Sequence, residues 1–138
     1  MKFSLVALTI VLFMSCGNTE QNPKDDSNNT WTYTYLKAKP GQKENLKSFL
    51  EANWLKMDSV AISRGLFNDY ELLVNADNNE TAAWDFIVAV EYYTPTTYAD
   101  ISDEWELIQE EHQTVLIDGL SFKDLGSYLK TDTLFKED

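Results

Sequence analysis

Residues 83–93, AWDFIVAVEYY, set Phe86, Val88 and Val90 in alternation with Ile87 and Ala89, so an extended chain here is apolar on both faces. A strand of that kind is ordinarily covered on two sides. The segment 66–76, LFNDYELLVNA, has the same character, Leu72 and Val74 alternating with Leu73, and the polar stretch DNNET joins the two. The pair reads as a β-hairpin. Any fold that contains it needs a layer against each face of its sheet.

The remaining elements supply only one such layer. TWTYTYLKAK, from residue 30, alternates Trp31, Tyr33 and Tyr35 with Thr32 and Thr34, the period-two pattern of a strand, which Pro40-Gly41 ends. From Lys43 the apolar positions Leu46, Phe49, Leu50, Trp54 and Met57 predict one amphipathic helix, stopping near Arg64-Gly65 with Gly65 in a left-handed cap. Ile101, Trp105, Ile108, His112 and Val115 predict a second helix that ends at Gly119, and residues 126–137 read as a last strand. The order β-α-β-β-α-β predicts an α+β, ferredoxin-like domain: a four-stranded antiparallel sheet with two helices on one face. Each helix has a single apolar stripe, so the second face needs another cover. A second copy of the sheet is the simplest, and residues 119–127 folded across it are the alternative.

The chain of 138 residues is expected to hold one domain, residues 30–138. Lys2 followed by the apolar run from Phe3 to Met14 reads as an export signal, residues 1–15, too short for a typical membrane span. Ser15-Cys16-Gly17 then resembles a bacterial lipobox, with Phe13 and Met14 departing from its usual upstream residues. Cys16 is the single cysteine and is expected to carry a lipid rather than to act as a thiol. Residues 16–29, without a large apolar side chain, are expected to be a disordered tether. This places the domain in the cell envelope, lipid-anchored to a bacterial membrane, with the outer membrane the expected destination. The formal net charge of −12 repels phosphate backbones and argues against nucleic acid as a partner.

In element order over residues 31–135, and in the Pro40-Gly41 that opens the first helix in KAKPGQKENLKSFLEAN, the chain resembles the dimeric α/β-barrel superfamily. That superfamily includes the antibiotic-biosynthesis monooxygenase-like proteins and the stress-responsive barrel proteins. The resemblance implies a homodimer whose two sheets close into a barrel, with a small-molecule pocket between sheet and helices. It carries over no active-site residue.

Candidate chemistry centres on His112, the one histidine, on the apolar stripe of the second helix. A histidine facing a pocket with Tyr33, Tyr35 or Tyr70 moves a proton near neutral pH; the plainer alternative is a rim histidine held by a backbone group or carboxylate. Arg64, the one arginine, is a candidate for an anionic ligand, though a cation at a helix C-terminus needs no ligand to explain it. Trp31, Trp54, Trp84 and Trp105 fall at or near core-facing positions, and Trp105 is a candidate to face a ligand. Asp103, Glu106 and Glu110 share one side of the second helix but read as an exposed acidic face, so no metal is expected. Asp58-Ser59-Val60 and Asp132-Thr133-Leu134 match a short glycosylation pattern that chance explains. There is no G-x-G-x-x-G or P-loop, and no cofactor is expected. Two functions follow: a lipid-anchored domain that binds a small apolar ligand or a protein partner, or a cofactor-independent monooxygenase or isomerase-like enzyme acting on an aromatic or quinone-like substrate.

Overall fold

The computed structural model describes residues 30–77, 79–93 and 98–135. The expected signal segment, Cys16, the tether and the Thr94-Pro95 pair lie outside them. Strand β1 (Thr30–Ala38) follows the Trp31, Tyr33, Tyr35 alternation. It ends in a tight turn where Gln42 N–H donates to the Lys39 carbonyl at 2.9 Å and Gly41, at φ 74°, supplies the left-handed residue that follows a proline in a type II turn.

The first helical region is not the single helix that the apolar spacing predicts. It runs as α1 (Lys43–Phe49), a π-helical turn (Leu50–Trp54) and α2 (Leu55–Ser63). Leu55 N–H reaches back five residues to the Leu50 carbonyl. The buried Asn53 side chain donates to the Phe49 carbonyl at 2.9 Å, the acceptor that its own N–H would use in an α-helix. Arg64 closes α2, and the Gly65 N–H to Ile62 and Leu66 N–H to Ala61 bonds, both 2.9 Å, make a Schellman cap with Gly65 at φ 75°, as the sequence predicts.

Strands β2 (Phe67–Val74), β3 (Phe86–Tyr92) and β4 (Gly126–Phe135) complete one antiparallel sheet in the order β2-β3-β1-β4. β1 and β2 both run antiparallel to β3, which lies between them. The α+β class is therefore as expected, and the arrangement is compatible with a ferredoxin-like one. The β2–β3 connection is longer than the predicted turn because Asn75, Asp77 and Asn79 accept in succession from the N–H two residues on, at 3.0, 3.0 and 3.2 Å.

One sheet face, carrying Leu36, Phe86, Val88 and Val90, forms the core with Leu46, Phe49, Leu50 and Ala61 of the first helical region and Ile101 and Ile108 of α3 (Tyr98–Glu111). The other face carries Trp31, Tyr33 and Tyr35 of β1, Ile87 and Ala89 of β3, Leu73 of β2 and Leu134 of β4, by register and alternation. Trp31 stacks on Tyr33 with centroids 6.1 Å apart, and Trp84 meets Tyr35 edge-on at 6.0 Å. These two tryptophans thus lie on the face away from the helices, not at core-facing positions.

The second helix stops at Glu111 rather than Gly119, because the next residues find other partners. Asn53 receives the Val115 N–H at 2.7 Å and donates to the Val115 carbonyl at 3.0 Å. Ile117 and Leu120 then exchange backbone bonds of 3.1 and 2.8 Å across Asp118-Gly119, both at positive φ. A short helix, α4 (Phe122–Leu125), follows, capped by reciprocal bonds between Ser121 and Asp124. Phe122 packs on Phe49 and Trp54, and Leu125 is in the core. Residues 119–127 therefore lie on the helical side and do not cover the second face. No helix among the described residues is long and apolar enough to cross a membrane.

Candidate functional site: a helix–sheet cavity

Between the helices and the sheet lies a cavity of about 330 Å³. It exists because β1 and β4 present small side chains there. Thr32 pairs with Thr133 and Thr34 with Thr131, giving a floor of four threonines where neighbouring β3 presents Val88 and Val90. Thr34 and Thr131 share a hydroxyl–hydroxyl bond of 3.0 Å.

The walls are aromatic. Trp54, in the π-helical turn, stacks on Phe122 at 5.4 Å between centroids. Trp105 on α3 packs against Phe67 at 5.3 Å, and Phe67 meets Tyr92 edge-on at 5.3 Å. Each ring is held by a neighbour from another element, so the shape of the cavity is set before any ligand arrives. Tyr98, half exposed at the start of α3, stands at the mouth.

The polar centre is Asp58, on α2 four residues after Trp54. It is 4 % exposed, and its Oδ2 is buried without a hydrogen-bond partner. Burial, with no cation among the described residues to compensate it, lifts the carboxyl from 3.8 to about 7. Asp85, equally buried, shows the usual solution: Lys37 at 3.1 Å, Lys43 at 3.7 Å and the Ala38 N–H at 2.9 Å surround it. Tyr92 is raised chiefly by burial, against a hydrogen bond with the Thr32 side chain that lowers it, with smaller upward contributions from Tyr98 and Asp58. A carboxyl poised near neutrality both donates and accepts, so Asp58 can hold an O–H or N–H group of a ligand or exchange a proton with it.

The residues singled out from sequence are dispersed. Trp105 lines the cavity. His112 does not: its Nε2 lies 3.0 Å from Asn53 Oδ1. With Arg64 it borders a separate surface groove of about 400 Å³, where Arg64 is paired with Glu111. Tyr33 and Tyr35 are on the opposite face of the sheet, and Tyr70 packs half-buried against the core without lining the cavity. The structure therefore does not bring His112 together with any of the three tyrosines. Asp103, Glu106 and Glu110 are exposed, and among the described residues no group of three or more His, Cys, Asp or Glu is placed to hold a metal.

Asp58, Tyr92, Tyr98 and the threonine floor have no sequence motif. The available signal was an acidic residue beside Met57 at the edge of the apolar stripe of a helix, where a carboxyl is either misplaced or used. No family model matches the chain, and no curated protein matches it in sequence.

Proposed function

We propose that this is a small-molecule-binding domain whose ligand occupies the helix–sheet cavity. The observation that supports this reading is Asp58, a buried carboxyl with an unpartnered oxygen in a preshaped cavity of aromatic walls and a threonine floor. Leaving such a group unpaired costs about 1–3 kcal/mol or more, an expense that a bound donor removes. The ligand is accordingly a compact molecule with an apolar body and one polar contact.

The domain is further proposed to be a ferredoxin-like subunit that pairs through its second face into a barrel. Leu73 and Leu134 are 37 % and 54 % exposed there, beside the Trp31, Tyr33 and Tyr35 row, and no described element of the chain covers them. Cys16, in its lipobox-like setting, supports attachment to a bacterial membrane in the cell envelope.

A second reading, proton transfer on an aromatic or quinone-like substrate, is favoured by the same carboxyl, with Asp58 rather than His112 as the proton carrier. The test begins with binding. Tryptophan fluorescence of the purified protein is titrated with small aromatic and aliphatic molecules, because Trp54 and Trp105 line the cavity. Saturable changes are expected in the native protein and not in Thr34→Phe, which fills the floor. Hits that bind the filled variant unchanged would remove the cavity as the site, and turnover of a hit that Asp58→Asn abolishes would establish the enzymatic reading.

A further inference from the structure

Among the described residues, Asp58 Oδ2 is the buried side-chain polar atom left without a partner. The cavity that Asp58 lines contains no described lysine, arginine or histidine. Its other walls include Trp54, Trp105, Phe67 and Tyr92, aromatic rings of the kind whose negative faces attract cations. A buried carboxyl surrounded by aromatic rings and hydroxyls, in a chain of net charge −12, is electrostatically complementary to positive charge and repels anions. Resting on the cavity reading above, we propose that the ligand is a small organic cation, a protonated amine on a short hydrocarbon or aromatic body, with the Asp58 carboxylate as its counter-ion.

The ammonium N–H groups donate to the carboxylate, and the tryptophan faces screen the remaining charge. The threonine hydroxyls of β1 and β4 accept from any N–H that Asp58 does not take. A cavity of about 330 Å³ is at the small end for ligand pockets, which suits an amine of one ring or a short chain. A neutral alcohol would fill the same space but leave the carboxylate charge uncompensated, and a charge-assisted bond is the stronger of the two.

The proposal carries a proton signature. The other titratable groups facing Asp58 are the phenols of Tyr92 on β3 and Tyr98 on α3. Burial pushes the Tyr92 phenol up, away from neutral pH. Because burial holds the empty carboxyl near 7, binding an ammonium requires its ionised form, so binding below that pH expels a proton.

The experiment is calorimetric titration of the full-length protein with primary amines from ethylamine to phenethylamine, each against the matching alcohol. At about pH 8 the preferred amine is expected to bind at least about tenfold more tightly than its alcohol, as for hydrogen bonds to charged groups. Near pH 6 its affinity should fall about tenfold, with proton release visible as a dependence of heat on buffer. Asp58→Asn should abolish the preference while the alcohol still binds. Alcohol and amine binding equally to the native protein overturns the cation and leaves the cavity standing. Failure of both series, or binding that persists in Thr34→Phe, overturns the cavity itself.

Discussion

Asn53 and His112, 59 residues apart in the chain, are joined by a 3.0 Å hydrogen bond from His112 Nε2 to Asn53 Oδ1. The amide orientation is set by its other bonds: Nδ2 donates to the Phe49 and Val115 carbonyls, so Oδ1 is the acceptor and Nε2 carries the proton. The same Oδ1 takes the Val115 N–H at 2.7 Å. One buried side chain therefore ties the π-helical turn to the segment after α3. Asn53→Ala is expected to cost about 1–3 kcal/mol in urea denaturation, since it removes a buried bond to the Phe49 carbonyl and two part-buried bonds to the Val115 backbone. His112→Ala should cost under about 1 kcal/mol, because the Val115 bonds survive it. Equal costs would show that the Val115 clip contributes nothing.

Asp58 makes stability depend on pH in a direction opposite to the usual carboxylate. Its folded value, about 7, lies above the unfolded 3.8, so the folded chain holds the proton more tightly. The favourable contribution is full below about pH 4, declines as pH rises through the interval, and is gone above about pH 7, a span of up to about 4 kcal/mol. Asp58→Asn should therefore be more stable than the native protein at about pH 8 and equal to it near pH 4. A difference independent of pH would contradict the raised value.

Gly126, at the start of β4, has no room for a side chain. A Cβ there would lie 2.7 Å from Leu46 Cδ2 and 2.8 Å from the Lys37 carbonyl oxygen. A leucine methyl can shift, but a backbone carbonyl within a strand pairing has little room to do so. Gly126→Ala is expected to destabilise by about 1–3 kcal/mol, whereas Ser127→Ala, at the exposed next position, should stay within about 0.5 kcal/mol. Thermal denaturation of the two variants side by side checks this.

The second sheet face predicts a change of mass without a change of fold. Sedimentation of the native protein should give a dimer, and the double variant Leu73→Lys/Leu134→Lys a monomer with an unaltered far-ultraviolet spectrum. Both positions are exposed on edge strands, so charge there disturbs an interface rather than the core. A native monomer at high concentration would dispose of the barrel.

For the proposed anchor, the protein expressed in a bacterial host should incorporate labelled fatty acid and partition into detergent. Cys16→Ser should abolish both. Labelling that survives the substitution would place the lipid elsewhere.

The strands and the first turn of each long helix were legible because their patterns are local. Thr32 and Thr34 between aromatics can only be a strand, and Pro40-Gly41 names its own turn. Beyond Glu111 the same kind of reasoning misleads. His112 and Val115 continue the three-and-four spacing of α3, yet Asn53, far back in the chain, captures Val115 and ends the helix. The local cue that opposed the longer helix was Asp118-Gly119, a dipeptide suited to two positive φ values. The site was less legible than the fold. Periodicity sorts residues by face but does not say that a carboxyl on an apolar face is unpaired. Nor does it show that four threonines from β1 and β4 meet beneath it, since that depends on a register between strands almost a hundred residues apart.

The π-helical turn changes the angular bookkeeping of everything that follows it. In an uninterrupted α-helix Asp58, eight residues after Leu50, would sit roughly 80° around the axis from it at about 100° per residue. A π-helical turn, which fits about one more residue into the turn, takes back roughly the angle of one residue and brings Asp58 nearly in line with the buried Leu50. The carboxyl is inside the molecule because the helix loses step once, and the flank that an unbroken spiral would assign to it is the position Asp58 does not occupy.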